Sequence, residues 1–328
     1  MKTCNPISWI IILFLYSILF VCFPQSCHQS ITRSKDSSST APTGKLVFSA
    51  RADEQSPTQI YTYTFADSQI RQVTHFGSYN AQPSWSPNGE QIVFVSDSIA
   101  TTLGPSLWII NVDGSQPHPM KRVPISPTDS LTQPGKWPAW SPDGRYIAFS
   151  VCINCEIGGR NYEISLYDFE EDSILALTQN QARDTQPFWV NTTLAFASNR
   201  VDPMVHSYDL YTINVDSKEV QRITNVEENL SGYFAWSPIT QIILYISHTH
   251  IFSYQISNKS TNQIQVAVPN SAFEFTGPMS WGPKGRHIVV IASAFDGSTK
   301  QYLYLIELNT EKIKKLTSFE YVSSVEWQ

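Results

Sequence analysis

A ten-residue phrase that begins with tryptophan recurs along the chain and limits its fold more than any other feature. Four copies are complete, WSPNGEQIVF, WSPDGRYIAF, WSPITQIILY and WGPKGRHIVV, while WVNTTLAFAS is a degenerate fifth and SSVEWQ a truncated sixth. The tryptophans of these copies are 55, 49, 47, 45 and 46 residues apart: Trp85, Trp140, Trp189, Trp236, Trp281 and Trp327. A period of roughly 20 to 50 residues is typical of folds in which one supersecondary unit repeats.

Each repeat predicts four short strands. The Ser-Pro-Asp-Gly after the tryptophan has the composition of a turn, and an apolar strand such as 146–149 leaves that turn. A third segment, such as 164–169, is rich in β-branched and aromatic residues, and a fourth often ends in threonine, as at Thr178. Four antiparallel strands per repeat, six repeats and no helical periodicity predict an all-β fold, a six-bladed β-propeller with four-stranded blades.

The last repeat lacks three of its four strands because the sequence ends after Trp327. Residues 44–74 begin with GKLVFSA, contain no tryptophan and have the pattern of the three missing strands. We therefore expect the N- and C-terminal segments to share one blade and close the ring, which would remove exposed sheet edges. The propeller would then span residues 44–328.

The N-terminal residues have the pattern of a targeting segment. An apolar run of 17 residues, 7–23, lies between the lengths of a signal-peptide core and a membrane-spanning helix. Cys27 after this run resembles a bacterial lipoprotein processing site, so residues 1–27 are interpreted as a signal peptide, with lipid attached to Cys27 or ordinary cleavage, or as an uncleaved anchor. Residues 28–43 are rich in Ser and Thr and predict a flexible tether. The folded part is expected outside the cytoplasm, secreted, periplasmic or associated with a membrane through its N-terminus.

The repeat resembles that of the TolB-type, or WD40-like PD40, β-propeller proteins. The resemblance depends on WSPDG followed by an apolar strand and on FASNRVDPMVHSYDLYTINVDSKEVQRIT, residues 196–224, and it covers residues 44–328. It implies a rigid ring in the cell envelope that binds other proteins. An envelope protein is therefore the expected partner.

Composition and motifs exclude several other functions. The formal net charge is -6, so no basic field favours nucleic acid. The sequence contains no G-x-S-x-G nucleophile elbow, no phosphate-binding G-x-x-x-x-G-K-[ST] loop and no H-E-x-x-H zinc motif. We therefore predict a non-enzymatic binding scaffold without a cofactor.

An alternative is a carbohydrate-binding or lyase-like propeller with a metal in its channel. His248 and His250 are separated by one residue, and alternate residues of a strand face the same side, where they could share a metal. The oligogalacturonate lyases are a similar propeller family with histidine-bound metal at the channel mouth, which would imply a saccharide ligand. A hydrogen-bonded loop pair is the other interpretation of the two histidines.

Cys152 and Cys155, in CINC, are the only cysteines after Cys27. The segment has no helical pattern that would activate a thiol. A local disulfide, two free thiols, and redox or metal chemistry are the three interpretations.

Candidate partner-contact residues lie before two of the tryptophans and in one aromatic loop. Asn80 and Asp184 stand five residues before Trp85 and Trp189, where each could cap a loop or contact a ligand. The segment 268–278, VPNSAFEFTGP, is predicted to be a loop that exposes Phe273 and Phe275 around Glu274. Aromatic loop residues are plausible interface anchors, although they could instead plug the channel.

Overall fold

The computed structural model describes residues 41–98, 105–120, 135–152, 161–203, 207–225, 230–237, 239–266, 273–294 and 299–328. These residues contain strands and turns but no helix, and hence none long and apolar enough to cross a membrane. The predicted signal or anchor, Cys27 and most of the tether lie outside the described residues. Residues 41–328 form one compact unit.

The described residues contain 24 strands, which we number in chain order. Their bounds are β1 Lys45–Arg51, β2 Gln59–Thr64, β3 Gln69–Gln72, β4 Asn80–Trp85, β5 Gln91–Ser96, β6 Ser106–Asn111, β7 His118–Pro119, β8 Lys136–Trp140, β9 Tyr146–Cys152, β10 Tyr162–Asp168, β11 Ser173–Ala176, β12 Asp184–Val190, β13 Thr193–Ser198, β14 Asp209–Ile213, β15 Val220–Arg222, β16 Leu230–Trp236, β17 Ile242–Ser247, β18 His250–Gln255, β19 Ser260–Gln263, β20 Phe273–Trp281, β21 His287–Ala294, β22 Gln301–Glu307, β23 Lys312–Lys315 and β24 Tyr321–Trp327.

The strands pair as antiparallel sheets of consecutive strands. Four sheets have four strands each, β4–β7, β8–β11, β12–β15 and β16–β19, and one sheet has eight. The eight-stranded sheet contains β20–β23 and β24 with β1–β3, and these two halves meet in a single parallel pair, Gln301 and Tyr321. We call these four sheets and two halves the six four-strand units.

The last strand of the chain pairs with the first. β24 lies antiparallel to β1 from Leu46 opposite Trp327 to Arg51 opposite Tyr321, with one irregularity. Beyond the strands, Lys45 N donates to Gln328 O at 2.8 Å and Gln328 N donates to Lys45 O at 2.9 Å. The expected pairing of the two terminal segments is therefore present.

The first strands of successive units contact one another in the order β24, β4, β8, β12, β16 and β20, and β20 also contacts β24. Six apolar core clusters have the same arrangement, because each contains residues from two successive units. The largest fully buried side chains come from the second and third strands, and include Phe94, Phe196 and Tyr245. Burial of these faces between units is the main apolar contribution to stability.

Two glycines with left-handed backbone test the contact between the chain ends. A Cβ at Gly44, where φ is 94°, would lie 2.1 Å from Gln328 O, whereas at Gly144, where φ is 78°, the nearest atom is Pro87 Cγ at 3.5 Å. We expect Gly144→Ala to lower the free energy of unfolding by about 1–2 kcal/mol, the cost of the left-handed backbone. Gly44→Ala should cost at least about 2 kcal/mol more, because β1 and β24 must separate. Urea unfolding measures both, and equal losses would contradict this prediction.

Candidate functional site

A cleft of about 450 Å³ opens at the end of the sheets where their first and third strands begin. Its lining comes from the three units that contain β8, β12 and β16: Lys136, Trp137, Tyr162, Arg183, Thr185, Gln186, Tyr208 and Ser231. Two lining residues are cations, three are aromatic and three carry an amide or hydroxyl group. None is acidic.

Irregular first strands shape this cleft. The pairing register shifts in β8 after Lys136, in β12 after Thr185 and in β16 after Leu230. Next to these shifts, the backbone is left-handed at Trp137, where φ is 49°, and at Gln186, where φ is 52°. Bulges of this kind redirect side chains, and left-handed backbone is uncommon at residues other than glycine. The bulges therefore direct side chains toward the cleft that a regular strand would hold elsewhere.

The equivalent bulge in β4 has a structural role. Gln82 also has a left-handed backbone, with φ 55°, and its side-chain Oε1 accepts a hydrogen bond from Trp137 N at 2.8 Å. Gln82 thus joins the first strands of two successive units. Gln186 stands at the corresponding place in β12, but its amide forms no hydrogen bond with another described residue and instead lines the cleft.

A cation and two rings form one wall of the cleft. Lys136 Nζ donates to Tyr162 Oη at 3.2 Å and lies 5.5 Å from the centre of the Tyr162 ring. The Trp137 and Tyr162 rings meet edge to face with centroids 5.9 Å apart. On the opposite wall the Tyr208 ring covers Gly232, where a Cβ would lie 3.3 Å from Tyr208 Cδ2. This wall can hold a flat ligand beside a positive charge.

Asp184 lies beneath the cleft and is fully buried. Its carboxylate accepts hydrogen bonds from Ser198 Oγ at 2.5 Å and Asn180 Nδ2 at 2.7 Å, and pairs with Arg200 Nη2 at 2.8 Å. Asn80 is likewise buried, and its Nδ2 donates to Gln59 Oε1 at 3.1 Å. Because both side chains are enclosed, their interpretation as partner contacts is wrong, and they stabilise the connections between strands.

A polar pair that the sequence analysis missed recurs in three units. The residue that begins or precedes the third strand accepts a hydrogen bond from a threonine 15 residues later: Gln59 from Thr74, Glu163 from Thr178 and Asp209 from Thr224. Each threonine hydroxyl also accepts a backbone N–H, from Ile60, Ile164 and Leu210 respectively. In the unit of β22 this position is Tyr302, and the Thr317 hydroxyl has no partner among the described residues. The fixed spacing was the signal.

Glu163 is the charged member of these pairs closest to the cleft. It is 1% exposed, and burial raises the pKa of its carboxyl to about 7, with the negative charge of Asp184 acting in the same direction. Hydrogen bonds from Thr178 and from Asn180 N, at 2.5 and 2.6 Å, oppose this rise. These contacts enclose the carboxyl, so it contributes to the support of the cleft rather than to its surface.

The histidine pair does not have the geometry that a shared metal requires. His248 and Thr249 form the left-handed turn between β17 and β18, with φ values of 44° and 70°, and only His250 belongs to a strand. The premise that both face one side of a strand is therefore wrong. His248 Nδ1 lies 2.9 Å from Ser247 Oγ, and His250 Nδ1 lies 2.8 Å from His248 O, so this is a hydrogen-bonded turn. No group of three potential ligands occurs in the described part of the chain.

The predicted aromatic loop is partly a strand. β20 begins at Phe273 and pairs with β21, with Glu274 opposite Ser293 and Phe275 opposite Ala292. Phe275 is 7% exposed and packs in the core between the units of β16 and β20. Its role as an exposed anchor is therefore wrong, because the alternation of the strand turns it inward. Glu274 is half-buried.

Cys152 is the last residue of β9, is buried and is disulfide-bonded. Cys155 lies outside the described residues, so its pairing with Cys152 remains a prediction.

Glu326 in β24 provides a test of pH dependence. Its Oε2 accepts a hydrogen bond from Trp85 N at 3.0 Å, and burial raises the pKa of the carboxyl from 4.5 to about 7. Between these values the folded protein holds a proton that the unfolded chain has released, so the free energy of unfolding falls as pH rises. Glu326→Gln keeps an acceptor for Trp85 N, and we expect it to reduce the fall between pH 5 and pH 8 by about 1–3 kcal/mol. Urea unfolding at both pH values measures this, with Glu311→Gln, an exposed site, as control. An unchanged fall would contradict the prediction.

No protein-family model matches the chain. Solved structures similar to it include TolB from Acinetobacter baumannii, with 16% identity, a TM-score of 0.66 and coverage of 87% of this chain and 66% of that one. A chain of a nidogen/laminin complex has 9% identity and a TM-score of 0.61, over 86% and 97% of the two chains. An oligogalacturonate lyase in complex with manganese has 14% identity and a TM-score of 0.56, over 83% and 73%. The chain, which spans about two thirds of the length of that TolB, therefore has a TolB-like β-propeller fold.

Proposed function

We propose that the six four-strand units are six blades of one closed ring, and that β24 and β1–β3 together form a blade. The support is the order of neighbours, in which the first strands contact one another from β24 through β4, β8, β12 and β16 to β20 and back to β24. The six core clusters have the same order. A closed ring would make the cleft a recess at the mouth of a central channel.

The ring serves as a non-enzymatic binding scaffold outside the cytoplasm, with an envelope protein as its partner. The observation that carries this proposal is the cleft, where rings and cations from three successive units line one recess. The fold likeness to TolB and to a chain of a nidogen/laminin complex supports it. A rigid framework that presents side chains from several units is suited to recognition.

The location and the membrane association rest on the N-terminal sequence. A targeting segment in residues 1–27 followed by a tether in residues 28–43 would hold the ring off a membrane surface. Lipid on Cys27, ordinary cleavage and an uncleaved anchor predict different masses for the mature protein. Intact mass of protein recovered from membranes distinguishes the three.

Site-specific photo-crosslinking tests the binding role. A benzophenone amino acid in place of Tyr208, in the cleft, should capture a discrete protein from an envelope extract. The control is the same replacement at Ile239, which is 63% exposed and follows β16 at the opposite end of the sheet. Capture from Ile239 alone, or from neither position, would contradict the assignment of this face.

A carbohydrate-binding role is the second candidate. The lyase neighbour was solved with manganese, but the His248 and His250 geometry gives a channel metal in this chain no support. What favours the role is the combination of rings, amide and cations in the cleft.

A further inference from the structure

We infer that the cleft is a site for an acidic saccharide, in which Lys136 holds the carboxylate of a uronic acid and the aromatic wall holds its ring. This rests on the proposed binding function and names a ligand class for the same cleft. The other proteins that contact this face would do so around the cleft.

The charge of the cleft is opposite to that of the chain. The whole protein has a net charge of -6, yet the cleft contains Lys136 and Arg183 and no acidic side chain. The nearest carboxylate beneath it, Asp184, is enclosed and paired with Arg200 at 2.8 Å. A local positive charge in an acidic protein attracts anions and excludes few of them by contact, so it selects for charge.

Lys136 has no carboxylate partner among the described residues. Its ammonium group contacts the Tyr162 hydroxyl at 3.2 Å, which leaves two of its three N–H donors for a ligand. The other cations near this end of the sheets differ, since Arg200 and Arg222 pair with Asp184 and Asp209 at 2.8 and 2.6 Å. Lys136 is therefore the cation placed to bind an external anion.

The remaining lining fits a hydroxylated ring better than a peptide side chain. The rings of Trp137 and Tyr208 offer apolar faces for the C–H groups of a sugar. Gln186, whose amide bonds no described residue, and the hydroxyl of Thr185 lie between them and can donate to and accept from sugar hydroxyls. An apolar anchor of a protein partner would instead require a mainly apolar pocket.

The left-handed backbone at Trp137 and Gln186 is consistent with this use. Each position has an energetic cost of about 1 kcal/mol for a residue with a Cβ, which glycine would avoid. At Gln82 a hydrogen bond to Trp137 N offsets this cost. Gln186 has no such contact among the described residues, so its side chain is explained by the ligand.

Titration calorimetry with the full chain tests the inference. The probes are trimers of galacturonate, glucuronate and mannuronate, with neutral glucose trimers of the same length as controls. We expect at least one uronate trimer to bind, neutral trimers to bind at least about tenfold more weakly, and higher salt to weaken the uronate. Lys136→Met, which keeps an unbranched apolar side chain, should weaken it about tenfold or more.

Lys315→Met is the matched control, because Lys315 also lies over a tyrosine ring, 3.5 Å from the centre of Tyr302, but away from the cleft. It should leave uronate affinity unchanged, and both variants should keep the wild-type melting temperature to within a few degrees. If Lys136→Met does not fold, Gln186→Leu in the same assay replaces it, with the same expected loss.

Three results would overturn the inference: no uronate binds, neutral trimers bind equally well, or both lysine variants weaken binding alike. Binding of a triglutamate peptide that depends on Lys136, in the absence of uronate binding, would also overturn it and identify an acidic peptide site. Capture of an envelope protein from position 208 is measured separately. If capture persists while saccharides fail to bind, only the ligand class is wrong and the binding scaffold stands.

Discussion

A chain that lacks residues 321–328 should fail to fold stably at 37 °C. The deletion removes β24 and with it the antiparallel partner of β1. Three of its side chains are buried, Val322, Val325 and Trp327, and full burial of such side chains contributes about 1.5–3 kcal/mol each. The Trp327 ring also stacks on Phe65 with centroids 4.5 Å apart, and its Nε1 donates to Thr43 O at 2.8 Å.

Together these contacts amount to at least about 5 kcal/mol, which is comparable with the whole free energy of unfolding of many domains. Thermal unfolding followed by circular dichroism measures the effect. A synthetic peptide of residues 318–328 should restore the transition in a concentration-dependent way, because it can bind beside β1. A truncated chain that melts cooperatively at the wild-type temperature would show that the terminal strand does not hold the fold together.

Asp184→Ala should lower the free energy of unfolding by about 3–5 kcal/mol, the usual loss when one partner of a buried ion pair is removed. The substitution leaves Arg200 without its 2.8 Å partner, and it also removes the acceptor for Ser198 and Asn180. Arg200 lies over the Phe196 and Tyr211 rings, 5.2 and 4.7 Å from their centres, so it cannot turn to water without loss of packing.

Two further variants make this result interpretable. Asp184→Asn copies the residue at the equivalent position of β4, Asn80, keeps the shape of the side chain and should lose less than alanine does. Glu320→Ala removes an exposed pair, Lys300 with Glu320 at 2.8 Å, and should cost less than about 1 kcal/mol. Urea unfolding at one pH compares all three. If Asp184→Ala costs no more than Glu320→Ala, the buried network does not stabilise the fold.

Most strands could be predicted from the repeated phrase, because turn chemistry and alternation are local. The apolar segment after each tryptophan is a strand, and the C-terminal residues around Trp327 pair with β1 as expected. The prediction failed where local composition resembled a loop. Phe273–Phe275 contain no turn signal of their own, and they form a strand because β21 pairs with them.

The cleft could not be predicted in the same way. Lys136, Gln186 and Tyr208 belong to three different repeats, and none of them stands in a recognisable motif. Bulges at Trp137 and Gln186 carry no glycine or other sequence mark, since the backbone there is left-handed at ordinary residues. The histidine pair was misread for a related reason, because the two-residue turn at His248 and Thr249 ends one strand and starts the next.

The amino-acid sequence alone determined the periodic part of this protein: strand positions, the turns after each tryptophan and the pairing of its two ends. These depend on interactions within about fifty residues, or on a repeat that is visible in composition. Only the tertiary structure decided which polar groups are enclosed and which remain available. Asp184 and Lys136 are both charged residues at the start of a first strand, yet one is paired beneath the cleft and the other faces into it. The difference arises because contacts between successive units, and not the repeat itself, supply or withhold the partner of each charge.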